Sequence, residues 1–201
     1  MEPEQVKKII EALIIASPKP VTATRLSSIV PTVTVTKVKE IVEVLRKEYD
    51  EQQRGFELWT IAGGYQIRTR TEFSPYVKQL QPERPLRLSK AALETLSIVA
   101  YRQPVTRGEI EAIRGVDAGA VVRSLLEKGL VKGAGHREVL GRPMEYATSS
   151  RFLEVFGLRT LRDLPTLKDL EEITEEQKGS GNITFDESQE PSVDPTPLDL
   201  H

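Results

Sequence analysis

The first apolar residues of the chain fall at helical spacing. Val6, Ile9, Ile10 and Leu13 stand at i, i+3, i+4 and i+7, which predicts a helix over about Glu4–Ala16 with one buried stripe. Pro18 and Pro20 stop it, since neither can continue a helical ladder. Thr22 can then cap a short helix carrying Leu26 and Ile29, which Pro31 closes. A longer helix is predicted over about Thr34–Tyr49, with Val38, Ile41, Val42, Leu45 and Tyr49 along one face. The period then drops to two. Phe56, Leu58 and Thr60 alternate with Glu57, Trp59 and Ile61. After Gly63-Gly64, Tyr65, Ile67 and Thr69 alternate with Gln66, Arg68 and Arg70. Two alternating runs around a Gly-Gly pair predict a β-hairpin, because primed turns need positive φ. Three helices followed by a hairpin is the order of a winged helix.

The order then repeats. Ser89 can cap a helix to about Arg102, with Ala92, Leu93, Leu96, Val99 and Ala100 on one face. Thr106-Arg107-Gly108-Glu109 has the spacing of a capping box, and Ile110 and Ile113 form the expected buried pair of the helix it opens. Gly115 ends that helix. Asp117 can cap a third, which carries Val121, Val122, Leu125 and Leu126 and stops at Gly129. Leu130-Val131 and Met144–Thr148 then read as wing strands joined through Gly141-Arg142-Pro143. Ser150–Gly157 reads as a short helix with Phe152 and Phe156 at i, i+4. A further short turn, Thr160–Leu164, is stopped by Pro165. The tripeptides Pro20-Val21-Thr22 and Pro104-Val105-Thr106 match, 84 residues apart, each between the first and second helix of its set. A tandem architecture explains this placement.

The expected fold is therefore α+β, mainly α, as two tandem winged helices. One spans 1–80 and the other 88–165, with a linker at 81–87 around Gln81-Pro82-Glu83-Arg84-Pro85. Residues 166–201 form an acidic tail, which loses apolar periodicity beyond about Thr174 and carries Gly179-Ser180-Gly181 and several prolines. They also hold ten Asp/Glu against Lys168 and Lys178, a net of −8. Such a tail is expected to be disordered, because it cannot bury enough apolar surface to offset its ordering entropy.

Composition narrows the chemistry. The chain has no cysteine, so disulfides and thiolate metal sites are excluded. It has two histidines, His136 and His201, and no cluster of His and carboxylates at ligand spacing. There is no P-loop. Gly133-Ala134-Gly135 lies inside a predicted wing rather than between a strand and a helix, so it reads as wing backbone, not a nucleotide fingerprint. No carboxylate sits in an apolar context suited to acid–base work. The expectation is a protein that is not an enzyme and takes no cofactor, metal or small-molecule substrate. With neither a signal peptide nor a membrane span in the sequence, a cytoplasmic location is expected.

Winged helices often bind DNA, which makes a DNA-binding transcriptional regulator the alternative function. Residues 1–165 carry a net charge of only +6. Lys37, Lys39, Arg46 and Lys47 of the first third helix are interleaved with Glu40, Glu43 and Glu48. That pattern suits a solvated face with i,i+3 and i,i+4 pairs better than a groove reader. Arg68 and Arg70 share a strand face and could touch phosphate, but a solvated strand face is the better account of them on these charge grounds.

The run from Leu88-Ser89-Lys90-Ala91-Ala92-Leu93-Glu94-Thr95-Leu96 through Tyr101-Arg102-Gln103-Pro104-Val105-Thr106 to Ile113-Arg114-Gly115-Val116 resembles the signature of the segregation and condensation protein B (ScpB) family. Gly141-Arg142-Pro143, Phe152–Leu158 and Asp163-Leu164-Pro165 resemble its later blocks, and Ile10–Ala16 its first helix. Leu140 stands where the family often has proline, and Ala147-Thr148-Ser149 where Gly-Thr-Thr is more usual. The resemblance implies a non-catalytic subunit of a condensin-like complex. It would be a homodimer, joined chiefly through the first winged helix. It would bind the kleisin ScpA and, through it, SMC, in chromosome condensation and segregation. Contact with DNA would be indirect or weak, and the protein would be associated with the nucleoid. Candidate partner-binding residues are Ile98, Tyr101, Arg102, Arg114 and Arg142, because Tyr and Arg favour interface hot spots and Ile98 lies off its helix stripe. Each has a structural alternative. Tyr101 can cap the core, Arg102 can satisfy its helix end, Arg142 can brace the wing turn, and Ile98 and Trp59 can pack internally.

Overall fold

The computed structural model describes residues 2–80, 86–166 and 169. The chain divides into two units, Met1–Leu164 and Pro165–His201. Apart from Thr166 and Asp169, the disordered tail expected over 166–201 lies outside the described residues, as does most of the linker expected over 81–87. In the second unit, Thr166 N–H donates to Asp169 Oδ2 (2.7 Å) and Asp169 N–H donates to Thr166 Oγ1 (3.3 Å), a local reciprocal cap.

The first unit opens with α1 (Pro3–Ala16), α2 (Ala23–Ile29) and α3 (Val35–Glu51), followed by β1 (Phe56–Ile61) and β2 (Gly64–Thr69). This is a winged helix. Thr22 and Thr34 cap α2 and α3 by accepting from the N–H groups of Arg25 and Lys37. One core gathers Val6, Ile10 and Ile14 of α1, Leu26 of α2, the predicted stripe of α3 and Leu58 of β1. Ile9 and Leu13 pack only partly against it, while Ile14, one turn beyond the predicted stripe, is fully buried. Ile29 ends its short helix in solvent instead of reaching the core. Polar ties close the bundle: Lys7 Nζ meets Glu48 Oε1 at 2.7 Å, and the Tyr49 hydroxyl donates to Glu11 Oε1 at 2.6 Å. Burial first, and Glu11 second, push the Tyr49 hydroxyl well above its ordinary pKa.

The hairpin turn sits one residue earlier than Gly63-Gly64 suggests. Ala62 (φ 49°) and Gly63 (φ 72°) are the turn residues, both with positive φ, and Gly64 begins β2 opposite Ile61. Gly64 is needed for space instead. A Cβ there would lie 2.9 Å from the carbonyl carbon of Val21, which bridges to Tyr65. After β2 a 3-10 turn (Thr71–Phe73) leads into α4 (Ser74–Leu80), a helix that buries none of its residues.

The second winged helix comprises α5 (Lys90–Arg102), β3 (Val105–Thr106), α6 (Arg107–Arg114), α7 (Gly119–Glu127), β4 (Val131–His136), β5 (Met144–Thr148) and α8 (Ser150–Phe156). Its sheet runs β3-β5-β4. Its core holds Ala92, Leu96, Val99, Val105, Ile110, Val122, Leu125 and Phe152. Two stripes differ from expectation. Thr95 is fully buried and Leu93 exposed, because the α5 face runs 92, 95, 96, 99, 100. Thr95 tolerates this by donating to the Ala91 carbonyl at 2.9 Å. In α6 the inward pair is Ile110 and Arg114, at i and i+4, which turns Ile113 out to solvent. Asp117 does not cap α7 at its first turn in the usual way. Ala118 holds the cap position, and Asp117 Oδ1 accepts from Gly119 N–H at 3.1 Å. Gly133-Ala134-Gly135 forms a bulge opposite Tyr146 and Glu145, with Gly135 at φ 130°.

The repeated tripeptide does the same work twice. Val21 pairs with Tyr65 and Val105 with Tyr146, so each valine joins the helix bundle to its wing. Thr22 and Thr106 each cap the next helix, and Thr106 completes a full capping box with Glu109.

The first wing is covered on both faces. Leu58 faces the helices, while Trp59 and the fully buried Ile61 face away from that core. The turn amides of Ala62 and Gly63 donate to the carbonyls of Leu158 (2.9 Å) and Arg159 (3.1 Å). Arg68 Nη2 donates to the Glu154 carbonyl (3.2 Å) with its guanidinium 5.5 Å from the centre of the Trp59 ring.

Two outcomes follow. Gly64→Ala should destabilise the chain by about 1–3 kcal/mol, since backbone on both sides must move; a urea midpoint equal to wild type would contradict the contact. Trp59→Ala should speed hydrogen exchange at Ala62 and Gly63 by about tenfold while leaving the amides of α3 protected.

Candidate partner interface

Ser89 accepts from Ala92 N–H and starts α5, which carries three of the five sequence-predicted residues in its last turns. Ile98 is half-buried against the second core. Tyr101 is half exposed and Arg102 exposed, the latter at a helix C-terminus where a cation is favoured. Gln103 fixes this end. Its Oε1 accepts from both Thr148 N–H (2.9 Å) and Thr148 Oγ1 (3.0 Å), and its Nε2 donates to the Ala100 carbonyl (2.9 Å).

Arg114 reaches the same helix from α6. Its side chain is 8% exposed, and Nη2 lies 3.6 Å from Glu94 Oε2. Glu94, Ile98 and Arg102 stand at i, i+4 and i+8, so Arg114 joins the N-terminal end of one row on α5. Four of the five candidates therefore share the α5–α6 surface. Arg142 does not join them. It sits in the second wing turn at φ 38°, its N–H donating to the Val139 carbonyl at 2.9 Å, beside the fully exposed Leu140. Sequence reasoning missed the exposed Leu93, Ile113 and Val116 that flank Glu94 and Arg114 along the chain. Periodicity had placed Leu93 and Ile113 in the core.

The second wing is held against α6 by a charge network. Arg137 Nη1 meets Glu109 Oε1 at 2.6 Å and its Nε meets Glu145 Oε1 at 2.7 Å. Glu109 also accepts from Thr106 N–H at 2.8 Å. Arg137, then the Thr106 backbone, hold the Glu109 carboxyl down at about 2.

The basic residues a nucleic-acid reader would present are largely engaged. Lys37 pairs with Glu40 and Arg46 with Glu43, and Arg46 also donates to the Leu58 carbonyl and Thr60 Oγ1. Arg70 bonds Asp50 and the Arg54 carbonyl, and Arg68 faces Trp59 and Glu154. Lys39 and Lys47 of α3 have no ion-pair partner among the described residues. Two open clefts flank Trp59. One, of about 310 Å³, is lined by Arg46, Asp50, Glu57 and Arg159; the other, of about 430 Å³, by Arg68, Arg70, Val77 and Lys78. Among the described residues no group of His, Cys, Asp and Glu is placed to hold a metal.

The family model for "Segregation and condensation complex subunit ScpB" matches residues 8–167. Segregation and condensation protein B of Syntrophotalea carbinolica is 48% identical over 186 residues, covering 92% of this chain and 92% of that one. That of Moorella thermoacetica is 47% identical over 150 residues, covering 73% and 76%. Among solved structures, ScpB from Mycobacterium tuberculosis is 36% identical and covers 79% of this chain and 98% of its own, with a TM-score of 0.38.

The Glu109 network gives a pH signature. A carboxyl held near 2 in the folded chain and near its ordinary 4.5 when unfolded stabilises the fold fully above pH 4.5. That contribution is lost as pH falls through the folded value. Glu109→Gln should remove it, so wild type and variant converge in melting temperature between pH 4.5 and pH 2. A constant difference across that window would contradict the network.

Proposed function

The chain belongs to the segregation and condensation protein B family, and we propose that it works as a non-catalytic adaptor whose homodimer holds the kleisin ScpA and, through it, SMC. The observation that carries this reading is the internal engagement of the cations that a winged helix would turn toward DNA. Arg46, Arg68 and Arg70 bond the protein's own carbonyls, carboxylates and aromatic ring. A phosphate contact would have to break those bonds first. The surface of α5 and α6, by contrast, mixes exposed apolar and charged residues, which suits a protein segment.

On this reading the first winged helix, residues 1–80, supplies the dimer contact, and residues 88–165 supply much of the kleisin contact. Ile98, Tyr101, Arg102 and Arg114 form the central patch, and Arg142 with Leu140 offers a separate contact from the wing. The ATP chemistry belongs to SMC. The shifts of Glu109, Lys7 and Asp163 are explained by caps and ion pairs, and that of Tyr49 first by burial in the helix core and then by its bond to Glu11, not by a reactive cleft. No helix among the described residues is long and apolar enough to cross a membrane. On the adaptor reading, the complex works in the cytoplasm, at the nucleoid.

Sedimentation equilibrium of the full chain should give twice the monomer mass. Titration with the cognate ScpA should give stoichiometric binding that changes little with added salt. A chain that ignores ScpA but binds a short duplex with steep salt dependence would reverse the assignment in favour of a DNA-binding regulator.

A further inference from the structure

Arg114 is charged, nearly buried and poorly satisfied. Its side chain is 8% exposed, yet the contact to Glu94 is 3.6 Å and that to the Asp117 carbonyl is 3.4 Å. Charge-assisted bonds of this kind normally close to about 2.7–2.9 Å. Its Nε is the one buried side-chain polar atom left without a hydrogen-bond partner among the described residues. A native chain rarely leaves a buried guanidinium in this state, because each unmade bond costs the full desolvation of its group. Position 114 follows Ile110 by one turn, where an apolar side chain would bury without that penalty.

The surroundings indicate what completes it. Glu94 is half exposed and only loosely engaged, so a competing carboxylate can replace it. Leu93 and Ile113, the chain neighbours of the two paired residues, are both exposed, as is Val116 just beyond α6. An under-satisfied Arg, with exposed aliphatic residues next to it and next to Glu94 along the chain, has the residue types of an interface hot spot. We propose that Arg114 anchors a docking surface on the α5–α6 face. Its occupant is a kleisin segment with an acidic residue flanked by aliphatic ones. The acidic side chain displaces Glu94 from the guanidinium, and the aliphatic side chains cover Leu93, Ile113 and Val116. This rests on the kleisin-adaptor reading and gives that partner its site.

The test is calorimetric titration of cognate ScpA into the full chain and four variants, with circular dichroism on each. Arg114→Met should weaken binding by at least about tenfold, and Arg114→Lys should recover part of the loss. Ile113→Ser, at an exposed position, should weaken it by about threefold or more. Glu94→Gln should tighten binding by about twofold or more, because it removes the competing carboxylate. A role confined to stability would not produce that gain. If Arg114→Met fails to fold, Glu94→Gln and Ile113→Ser decide the matter. Wild-type affinity in those two variants overturns the proposal, as does a Glu94→Gln variant that binds more weakly. If Arg114 governs binding of a short duplex and not of ScpA, the occupant is nucleic acid and the proposal is wrong. A wild-type chain that does not bind ScpA overturns the adaptor reading and this site with it, whereas wild-type binding indifferent to all four changes overturns the site alone.

Discussion

Two backbone hydrogen bonds set the arrangement of the first unit. A primed hairpin turn projects its amides outward, and those of Ala62 and Gly63 would ordinarily face water. Here they meet the carbonyls of Leu158 and Arg159, which follow the last helix of the second winged helix. Arg68 takes the Glu154 carbonyl at the C-terminal end of that helix, where unsatisfied acceptors collect. Gly157 makes the chain turn possible at φ 70° and brings its backbone against Trp59, where a Cβ would be 3.5 Å from the ring. The wing that lies free in an isolated winged helix is therefore part of the packing. It follows that Ile61 can be fully buried without belonging to either core.

The same economy of parts appears in the repeated Pro-Val-Thr. The valine supplies one rung of pairing to a wing tyrosine, and the threonine caps the helix that follows. Strand pairing and helix initiation are thus fixed by adjacent residues, so the bundle and its wing keep a constant relation in both halves. The halves diverge after that point. The second box is closed by Glu109, whose carboxylate also holds Arg137 of the second wing. The first has no such acid, and its wing is secured by Leu158 and Arg159 instead. One motif serves two wings anchored by different chemistry.

Most elements were legible because their signals are local. Caps at Thr22, Ser89 and Thr106 and stops at Gly115 and Gly129 follow from residues acting within one helical turn. The α3 stripe followed from periodicity alone. What escaped required knowledge of a neighbour. Leu93 and Ile113 look like core by type, but the true faces are set by how α5 packs on α7 and α6, and they admit Thr95 and Arg114 instead. The strand Val105–Thr106 is too short to show a period. The double burial of the first wing depends on residues about 90 positions downstream, beyond the reach of any window. Of the candidate interface, α5 was visible as residue types in a row; that Arg114 joins the row and Arg142 does not is a property of the tertiary fold.

The alternation of like and unlike charges along α3 has a functional consequence beyond solubility. A helix that reads DNA must leave its cations free to replace condensed counterions, so each internal ion pair formed there is a phosphate contact forgone. Lys37 and Arg46 are paired in that way, and the wing arginines bond carbonyls and a ring. On α5 and α6 the logic reverses. There the protein keeps a guanidinium out of solvent with distant partners, beside apolar side chains turned outward. On the adaptor reading, engaging Lys37, Arg46 and the wing arginines internally while leaving Arg114 under-satisfied moves the expected contact from the third helix to α5 and α6. A fold built to carry a recognition helix is thereby suited to grip another protein by a different surface.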